Sequence, residues 1–290
     1  CVMVLGGCCL GEVCNVFCKK LHSLYLRGII NHKSIKMKKI YLFLFVALIA
    51  ITSNAQDKVV LRQTFIKVKP GNNYAEDLKT KFGEMAQKRI DAGYQLGWHL
   101  WEVVGNPQAP FTHIIVEPMM ISQMEKERTR EGWLKMRKEA IPSMTDSDWT
   151  TFMENVRDKR DIVAEAMFVT VTEVKKNQNV NLPGDFGIVN WMKVKEGKFK
   201  TYENMEKSMY SNGIGENDLR TGWSLARRID KYGTDVYWNY FTVDWFSNYN
   251  DYIKAAANIP AWDADKNYQN MMKIRDLRET VSIRKVIMLE

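Results

Sequence analysis

Hydrophobic positions between residues 58 and 290 follow strand and helix periods in alternation, and the same order occurs twice. In the first half, apolar residues alternate over Val59–Lys69 and then recur at helical spacing at Leu78, Phe82 and Ile90. Two more strands, a second helical region and a closing strand follow. The last helix of that region is predicted to begin at Thr145, which with Asp148 three residues later has the pattern of a capping box. The predicted strands after the first are Gln95–Val104, Phe111–Glu117 and Ala166–Val174, and in the second half Phe186–Lys195, Gly222–Ile229, Val236–Val243 and Val281–Met288.

The two halves also match in sequence. The segment "FIKVKPG" (65–71) returns as "WMKVKEG" (191–197) at an offset of 126, and "LGWHL" (96–100) returns as "TGWSL" (221–225) at an offset of 125. Colinear matches of this kind indicate an internal duplication. The polar stretch 175–185, which contains Pro-Gly, separates the copies, so we predict repeats over 56–178 and 179–290.

Each repeat reads βαββαβ, the ferredoxin-like order, so the predicted fold class is α+β. In such a unit the helices cover one sheet face and leave the other bare. An exposed apolar sheet face is unfavourable in water, and two copies in one chain can bury these faces against each other. The element order and the duplication resemble the dimeric α/β-barrel superfamily in its fused two-repeat form, over essentially all of 58–290. The resemblance implies an intrachain barrel.

Residues 37–55 have the layout of a secretory signal peptide. Lysines at 38 and 39 precede an apolar run from Ile40 to Ile51, and small residues lead to a cleavage position after Ala55. An apolar run of this length is too short for a stable membrane span, which needs about 20 residues. The sequence therefore predicts an exported protein, periplasmic or secreted, with no stable membrane span after processing.

Residues 1–36 are predicted to lie upstream of the functional protein, with Met37 as its start. They hold all five cysteines, in no regular metal-binding spacing, although a zinc site is the alternative. Residues 1–55 also hold seven of the 42 Lys and Arg residues and one of the 34 acids, which leaves 35 bases and 33 acids. The near-neutral remainder gives no support to a nucleic-acid partner.

The mature part contains two histidines, His99 and His113, and both are predicted to face the barrel interior. A hairpin turn centred near Asn106 would place them directly opposite each other. A pair of this kind could move a proton or orient an oxygenated ligand, so we take both as candidate catalytic residues. The alternative is a cross-strand pair with a structural role.

Other residues of the predicted interior are candidates for ligand contacts. Ser224 and Asn239 occupy the second-repeat positions that correspond to the histidines, and aromatic residues surround them. The predicted aromatic lining consists of Phe65, Trp101, Phe111 and Trp191, for which ordinary core packing is the alternative. Glu117 is the nearest acid that could complete a metal site with the histidines, but the spacing favours no metal.

The resembled superfamily includes cofactor-free oxygenases, haem-binding enzymes and small stress-related proteins. Its fused haem enzymes imply a haem ligand in the second half, which here has no histidine, so no cofactor is expected. The sequence thus favours an exported barrel that binds a small, partly apolar molecule, with metal-free oxygenase or isomerase chemistry if it is an enzyme. A non-catalytic envelope or stress-related protein with a filled barrel is the alternative, and the oligomeric state is open.

Overall fold

The computed structural model describes residues 58–124, 129–258 and 265–290. The signal peptide and the cysteine-rich segment predicted at the N-terminus lie outside the described residues. In the first repeat the strands are β1 (Val59–Val68), β2 (Trp98–Val104), β3 (His113–Met120) and β4 (Arg160–Lys175). Its helices are α1 (Tyr74–Asp77), which passes through a π-helical turn at Leu78–Phe82 into α2 (Gly83–Asp91), then α3 (Ile121–Met124), α4 (Arg130–Ala140) and α5 (Asp146–Lys159).

The second repeat has the same order with fewer helical residues. Its strands are β5 (Phe186–Val194), β6 (Arg220–Arg228), β7 (Tyr240–Phe246) and β8 (Arg275–Leu289). Its described helices are α6 (Phe199–Met209), α7 (Tyr249–Ala257) and α8 (Lys266–Met272). No helix in the described ranges combines the length and the apolar character that a membrane span requires.

The eight strands form one closed antiparallel barrel in the order β1-β3-β2-β8-β5-β7-β6-β4. Each repeat contributes four neighbouring strands, and the two sheets join where β2 pairs with β8 and where β4 pairs with β6. The predicted α+β fold, with two ferredoxin-like repeats in one barrel, is confirmed. Closure leaves neither sheet with a free edge, because every strand has two partners.

The closing strands are longer than their hydrophobic patterns predict. β4 begins at Arg160 and β8 at Arg275, about six residues before the predicted starts. Val68 pairs with Arg160 and Val194 pairs with Arg275, so these two arginines are structural equivalents. The extra length is what allows each of these strands to pair with its own repeat at one end and with the other repeat at its other end.

Local signals explain where several elements begin and end. Thr145 accepts a hydrogen bond from the backbone of Asp148 and the Asp148 side chain accepts one from the backbone of Thr145, so the predicted capping box at α5 is confirmed. Gly71 and Gly197 follow the first strand of each repeat with φ of 80° and 74°. Such positive φ angles favour glycine, which accounts for its return at matching positions.

The barrel separates two hydrophobic environments. Its interior is one cluster of buried side chains from both repeats, among them Phe65, Trp101 and Trp191. The strand alternation that predicts His99 inside the barrel predicts Trp98 and Leu100 on the outer face, and there they pack with α1 and α2. With His113 predicted inside, the same alternation predicts Ile114 on the outer face, but Ile114 lies in the interior because the β2–β3 register differs from the predicted one.

The observed pairing of β2 with β3 is shifted by three residues from the predicted pairing. His99 pairs with Val116, and His113 pairs with Glu102. The connecting segment is longer than a tight turn at Asn106, because Phe111 folds back into the barrel interior and β3 begins only at His113. An odd shift reverses which face each residue occupies, so the two histidines cannot face each other.

Candidate functional site

The aromatic residues predicted to line a pocket pack against one another inside the barrel. The ring centroid of Phe65 lies 4.9 Å from that of Phe111 and 5.8 Å from that of Trp191. Trp101 packs against Trp245 at 5.3 Å. All four predicted lining residues, Phe65, Trp101, Phe111 and Trp191, are at most 6% exposed. Edge-to-face packing at these distances is that of a protein core, and it agrees with the structural alternative for these side chains.

His99 lies on the inner face of β2, near one end of the barrel. It is 7% exposed, and its Nε2 atom has no hydrogen-bond partner within the described residues. The nearest acid is Glu290, at 3.7 Å from Nε2 to Oε1, which is too long for a hydrogen bond. Burial, with a smaller contribution from the positive charge of Lys285, lowers the pKa of His99 to about 4. The imidazole is therefore neutral at neutral pH.

His113 lies on the outer face of the first sheet, because it pairs with Ile66 and Glu102. Its Nδ1 is 3.0 Å from the hydroxyl of Thr112, and burial lowers its pKa despite the nearby carboxylate of Glu102. The structure therefore separates the two candidate catalytic residues onto opposite faces of the sheet. A catalytic role for either one stays a prediction, but they cannot form a pair.

The second-repeat candidates also have structural partners. Ser224 lies on the inner face and accepts a hydrogen bond from the indole of Trp245 at 3.0 Å. The Asn239 side chain accepts a hydrogen bond from the backbone of Val194 at 2.7 Å and donates one back at 2.9 Å. Asn239 precedes β7 and corresponds to Thr112, which similarly accepts a hydrogen bond from the backbone of Val68. The sequence offset had aligned Asn239 with His113.

Glu117 cannot join the histidines in a metal site. It is on the outer face of β3, where Arg89 donates a 2.5 Å hydrogen bond to its carboxylate, while His99 points into the barrel. In the described ranges no three His, Cys, Asp or Glu side chains converge as metal ligands.

Open space occurs outside the barrel on both sides of Arg62. The first space, here called the Arg cleft, has a volume of about 200 Å³ and lies where β1, α2 and α4 meet. The second, here called the Met cleft, has a volume of about 400 Å³. The Arg cleft is lined by Arg62, Arg89, Tyr94, Thr129, Gly132, Trp133 and Met136, and the Met cleft by Arg62, Met119, Met124, Glu165, Ala166, Met167 and Asp230.

Arg62 separates the two clefts and is held by acids on both sides. Its guanidinium lies 3.7 Å from the carboxylate of Glu117 and 3.2 Å from that of Glu165. Glu117 is 7% exposed and also binds Arg89, so its buried carboxylate is shared between the two arginines. The side chain of Arg62 is 40% exposed and can therefore contact a molecule in either cleft.

The clefts differ in charge. Among the described residues, the lining of the Arg cleft contains two arginines and no acid, whereas the Met cleft adds Glu165 and Asp230 to the shared arginine. The carboxylate of Asp230 accepts a 2.9 Å hydrogen bond from Arg228, and hydrogen bonds of this kind keep its pKa low despite burial. None of these cleft residues is among the site residues predicted from the sequence. The available signal was the duplication, which aligns Arg62 with the apolar Ile188.

The comparisons with known proteins are similarities of structure at very low sequence identity. No protein-family model matches the chain, and no curated protein matches its sequence. The chain is similar to the structure of an anthrone oxidase-like protein, with a TM-score of 0.49 and 8% identity, over 81% of this chain and 93% of that chain. It is also similar to a candidate monooxygenase from Fusobacterium nucleatum, with a TM-score of 0.47 and 10% identity, over 81% and 95% of the two chains.

A third similar structure is a variant of the chlorite dismutase from Candidatus Nitrospira defluvii, with a TM-score of 0.44 and 7% identity, over 80% of this chain and 93% of that chain. Such similarities concern the overall fold. They assign no activity, ligand or residue role to this chain.

Proposed function

We propose that this protein is an exported small-molecule-binding protein whose site is the pair of clefts around Arg62, with the barrel as scaffold. The observation that carries the proposal is the open volume of about 200 and 400 Å³ on either side of one partly exposed arginine. Apolar clefts with a few convergent polar groups are the usual form of small-molecule sites. Both clefts have this composition.

The packing of side chains inside the barrel favours the outer clefts over the barrel interior as the binding site. Aromatic side chains from both repeats meet at its centre, and neither cleft is lined by His99 or His113. A ligand inside the barrel would have to displace rings that contribute much of the buried apolar area. The outer clefts require no such displacement, so binding there costs less of the protein's stability.

The second repeat supports the same conclusion by contrast. Ile188, the equivalent of Arg62, is 8% exposed and packs with Phe186 and Phe246. Tyr252 and Ala255 of α7 cover this cluster. Around Ile188 the second repeat is thus packed where the first repeat, around Arg62, is open, so the clefts are not a necessary consequence of the fold.

The proposed export depends on residues 37–55. Their charged start, apolar run and small residues before Gln56 support secretion with cleavage after Ala55. Mass spectrometry of the protein expressed with its leader tests this proposal. A mature N-terminus at Gln56 in the exported fraction is expected, and a cell-retained chain with residues 37–55 intact would contradict it.

Binding is tested by screening the protein against small aromatic and lipid-like compounds with thermal shift, followed by chemical-shift mapping of the hits. We expect hits to perturb backbone signals of cleft residues such as Gly132 and Met167. Signals of interior residues such as Val189 should change little. Hits that perturb only interior residues, or a screen without saturable binding, would contradict the proposed site.

A further inference from the structure

We propose that the Arg cleft binds small aromatic carboxylates, with the carboxylate on Arg62 and Arg89 and the ring against Trp133. This inference rests on the proposed small-molecule function and specifies the class of ligand. Three independent features of the cleft support it: its charge, its exposed aromatic surface and its size.

The charge of the lining favours an anion. The lining contains two guanidinium groups, and arginine stays protonated at any accessible pH. The one acid beneath them, Glu117, is largely buried and is engaged by Nη1 of Arg89 at 2.5 Å. The second acid in contact, Glu165, reaches Arg62 at 3.2 Å from the side of the Met cleft, so on the Arg-cleft side the described lining presents two guanidinium groups and no carboxylate.

Both arginines keep donors for a ligand. Within the described residues, the only hydrogen bond that Arg89 donates from its side chain is the one from Nη1 to Glu117. Arg62 donates from Nη2 to Glu165, a residue whose side chain is 52% exposed. Exposed ion pairs contribute little, so a ligand carboxylate can replace Glu165 at small cost. Guanidinium groups bind carboxylates with matched, often bidentate geometry.

Trp133 supplies the aromatic surface. It is 40% exposed, although large aromatic side chains are usually buried. Its ring lies 5.6 Å from that of Trp149, and this contact holds it in place at the cleft. Tyr94 and Met136 complete the apolar part of the lining. A planar ring can therefore pack on Trp133 while an attached carboxylate reaches the arginines.

The volume and the neighbouring cleft limit the ligand further. A volume of about 200 Å³ is below the roughly 300 Å³ at which sites for drug-sized molecules begin, so one ring or two fused rings fit. On the far side of Arg62, Glu165 and Asp230 repel an anion. The difference in charge between the two clefts thus directs the carboxylate of the ligand to the Arg-cleft side of Arg62.

The test compares 1-naphthoate with its neutral isostere 1-naphthamide by isothermal titration calorimetry on the intact protein. The variants are Arg62→Gln, which keeps Arg89 to pair with Glu117, and Trp133→Ala. The control is Arg284→Gln, which removes an exposed arginine whose partner is Glu102 and which lines neither cleft. Circular dichroism and melting curves confirm that each variant is folded.

We expect naphthoate to bind at least about tenfold more tightly than naphthamide, since one charge-assisted hydrogen bond is worth about that factor. Arg62→Gln should remove most of this preference, Trp133→Ala should weaken both compounds, and Arg284→Gln should change neither by more than about twofold. If both compounds bind equally well and Trp133→Ala weakens both, the inference of a carboxylate ligand is overturned, but the Arg cleft is still supported as a binding site. No binding of either compound, or binding that neither cleft variant affects, would overturn the inference; the compound screen then decides separately whether the wider binding proposal survives.

Discussion

The two repeats differ most where their first and third strands meet on the outer face. In the second repeat, Phe186, Ile188 and Phe246 form an apolar cluster that α7 covers. In the first repeat, the equivalent of Ile188 is Arg62, and open clefts lie on both sides of it. The barrel needs each sheet's inner face for its core, so those positions are constrained in both copies. The outer face at this end carries no such requirement and has diverged.

Both repeats keep an acid at the position next to this difference. Arg62 pairs with Glu117 across the ladder, and Ile188 pairs with Asp244 at the same place in the second repeat. Glu117 is held by an arginine from a helix, whereas Asp244 is held by Arg220 from the neighbouring strand. The acid is common to both repeats, but its partner has changed. The first repeat therefore places its arginines beside open space, whereas Arg220 of the second packs over the ring of Tyr210.

Exchanging the two residues should show the largest effect. Ile188→Arg places a charge beneath α7 and removes buried apolar area, so we expect a loss of about 4 kcal/mol in the free energy of unfolding. Arg62→Ile removes only partly exposed ion pairs and should cost less than about 1 kcal/mol. Urea denaturation of both variants measures the difference. Similar costs at the two positions would show that the outer faces are equally packed.

The second largest difference is expected between the arginines that bind the two acids, Arg220 beside Asp244 and Arg89 beside Glu117. Arg220 lies 3.0 Å from Asp244 and 2.5 Å from the Tyr210 hydroxyl, and it also binds Asp218. Arg220→Met removes all three contacts at a cost of about 3 kcal/mol. Arg89→Met should cost only about 2 kcal/mol, because Glu117 retains Arg62 at 3.7 Å.

Unfolding in urea again provides the measurement for the arginine pair, with Arg284→Met as a control for an exposed ion pair. A larger loss for Arg89→Met than for Arg220→Met would contradict the proposed sharing of Glu117.

The pH dependence of stability should distinguish His99 from its second-repeat counterpart, Ser224. The folded state holds the pKa of His99 at about 4, below its ordinary value of 6.5, so the unfolded chain binds more protons between these values. Stability is therefore lost as the pH falls through this window, by about 2 kcal/mol between pH 7 and pH 5.

The measurement for His99 is the free energy of unfolding at a series of pH values. His99→Gln removes the titrating group and should flatten the curve between pH 7 and pH 5, and His113→Gln should flatten it less. An unchanged slope in His99→Gln would show that the imidazole is accessible to protons in the folded protein.

Much of the fold could be predicted from the sequence, because the duplication constrains it twice. Strand periodicity and the repeated Gly-Trp-x-Leu segment identify β2 and β6 and the face of Trp98 and Trp223. The hairpin register could not be predicted, since Phe111 enters the core and lengthens the β2–β3 connection. One odd shift of register was enough to turn His113 to the outer face and separate the predicted pair.

The candidate site was missed for a different reason. A polar residue on an outer face, such as Arg62, is the expected pattern for solvent, and nothing in the sequence distinguishes it from any other exposed arginine. Its setting depends on how α2 and α4 approach the sheet and leave space beside it. Sequence periodicity gives the face of a residue but not the distance to the next element. The only available signal was the alignment of the two repeats, in which Arg62 corresponds to Ile188.

The smallest expected effect concerns the backbone contacts before β3 and β7. Asn239 both accepts from and donates to the backbone of Val194, whereas Thr112 accepts from Val68 at 2.9 Å and donates weakly to Ile66 at 3.2 Å. Asn239→Ala should therefore cost about 2 kcal/mol and Thr112→Val about 1 kcal/mol, because each leaves buried backbone groups without a partner. Neither change should alter ligand binding, since neither residue lines the Arg cleft or the Met cleft. Calorimetric unfolding and titration with 1-naphthoate measure the two effects separately. Lost affinity at unchanged stability in Asn239→Ala would return this residue to the role of ligand contact that its position in the repeat suggested.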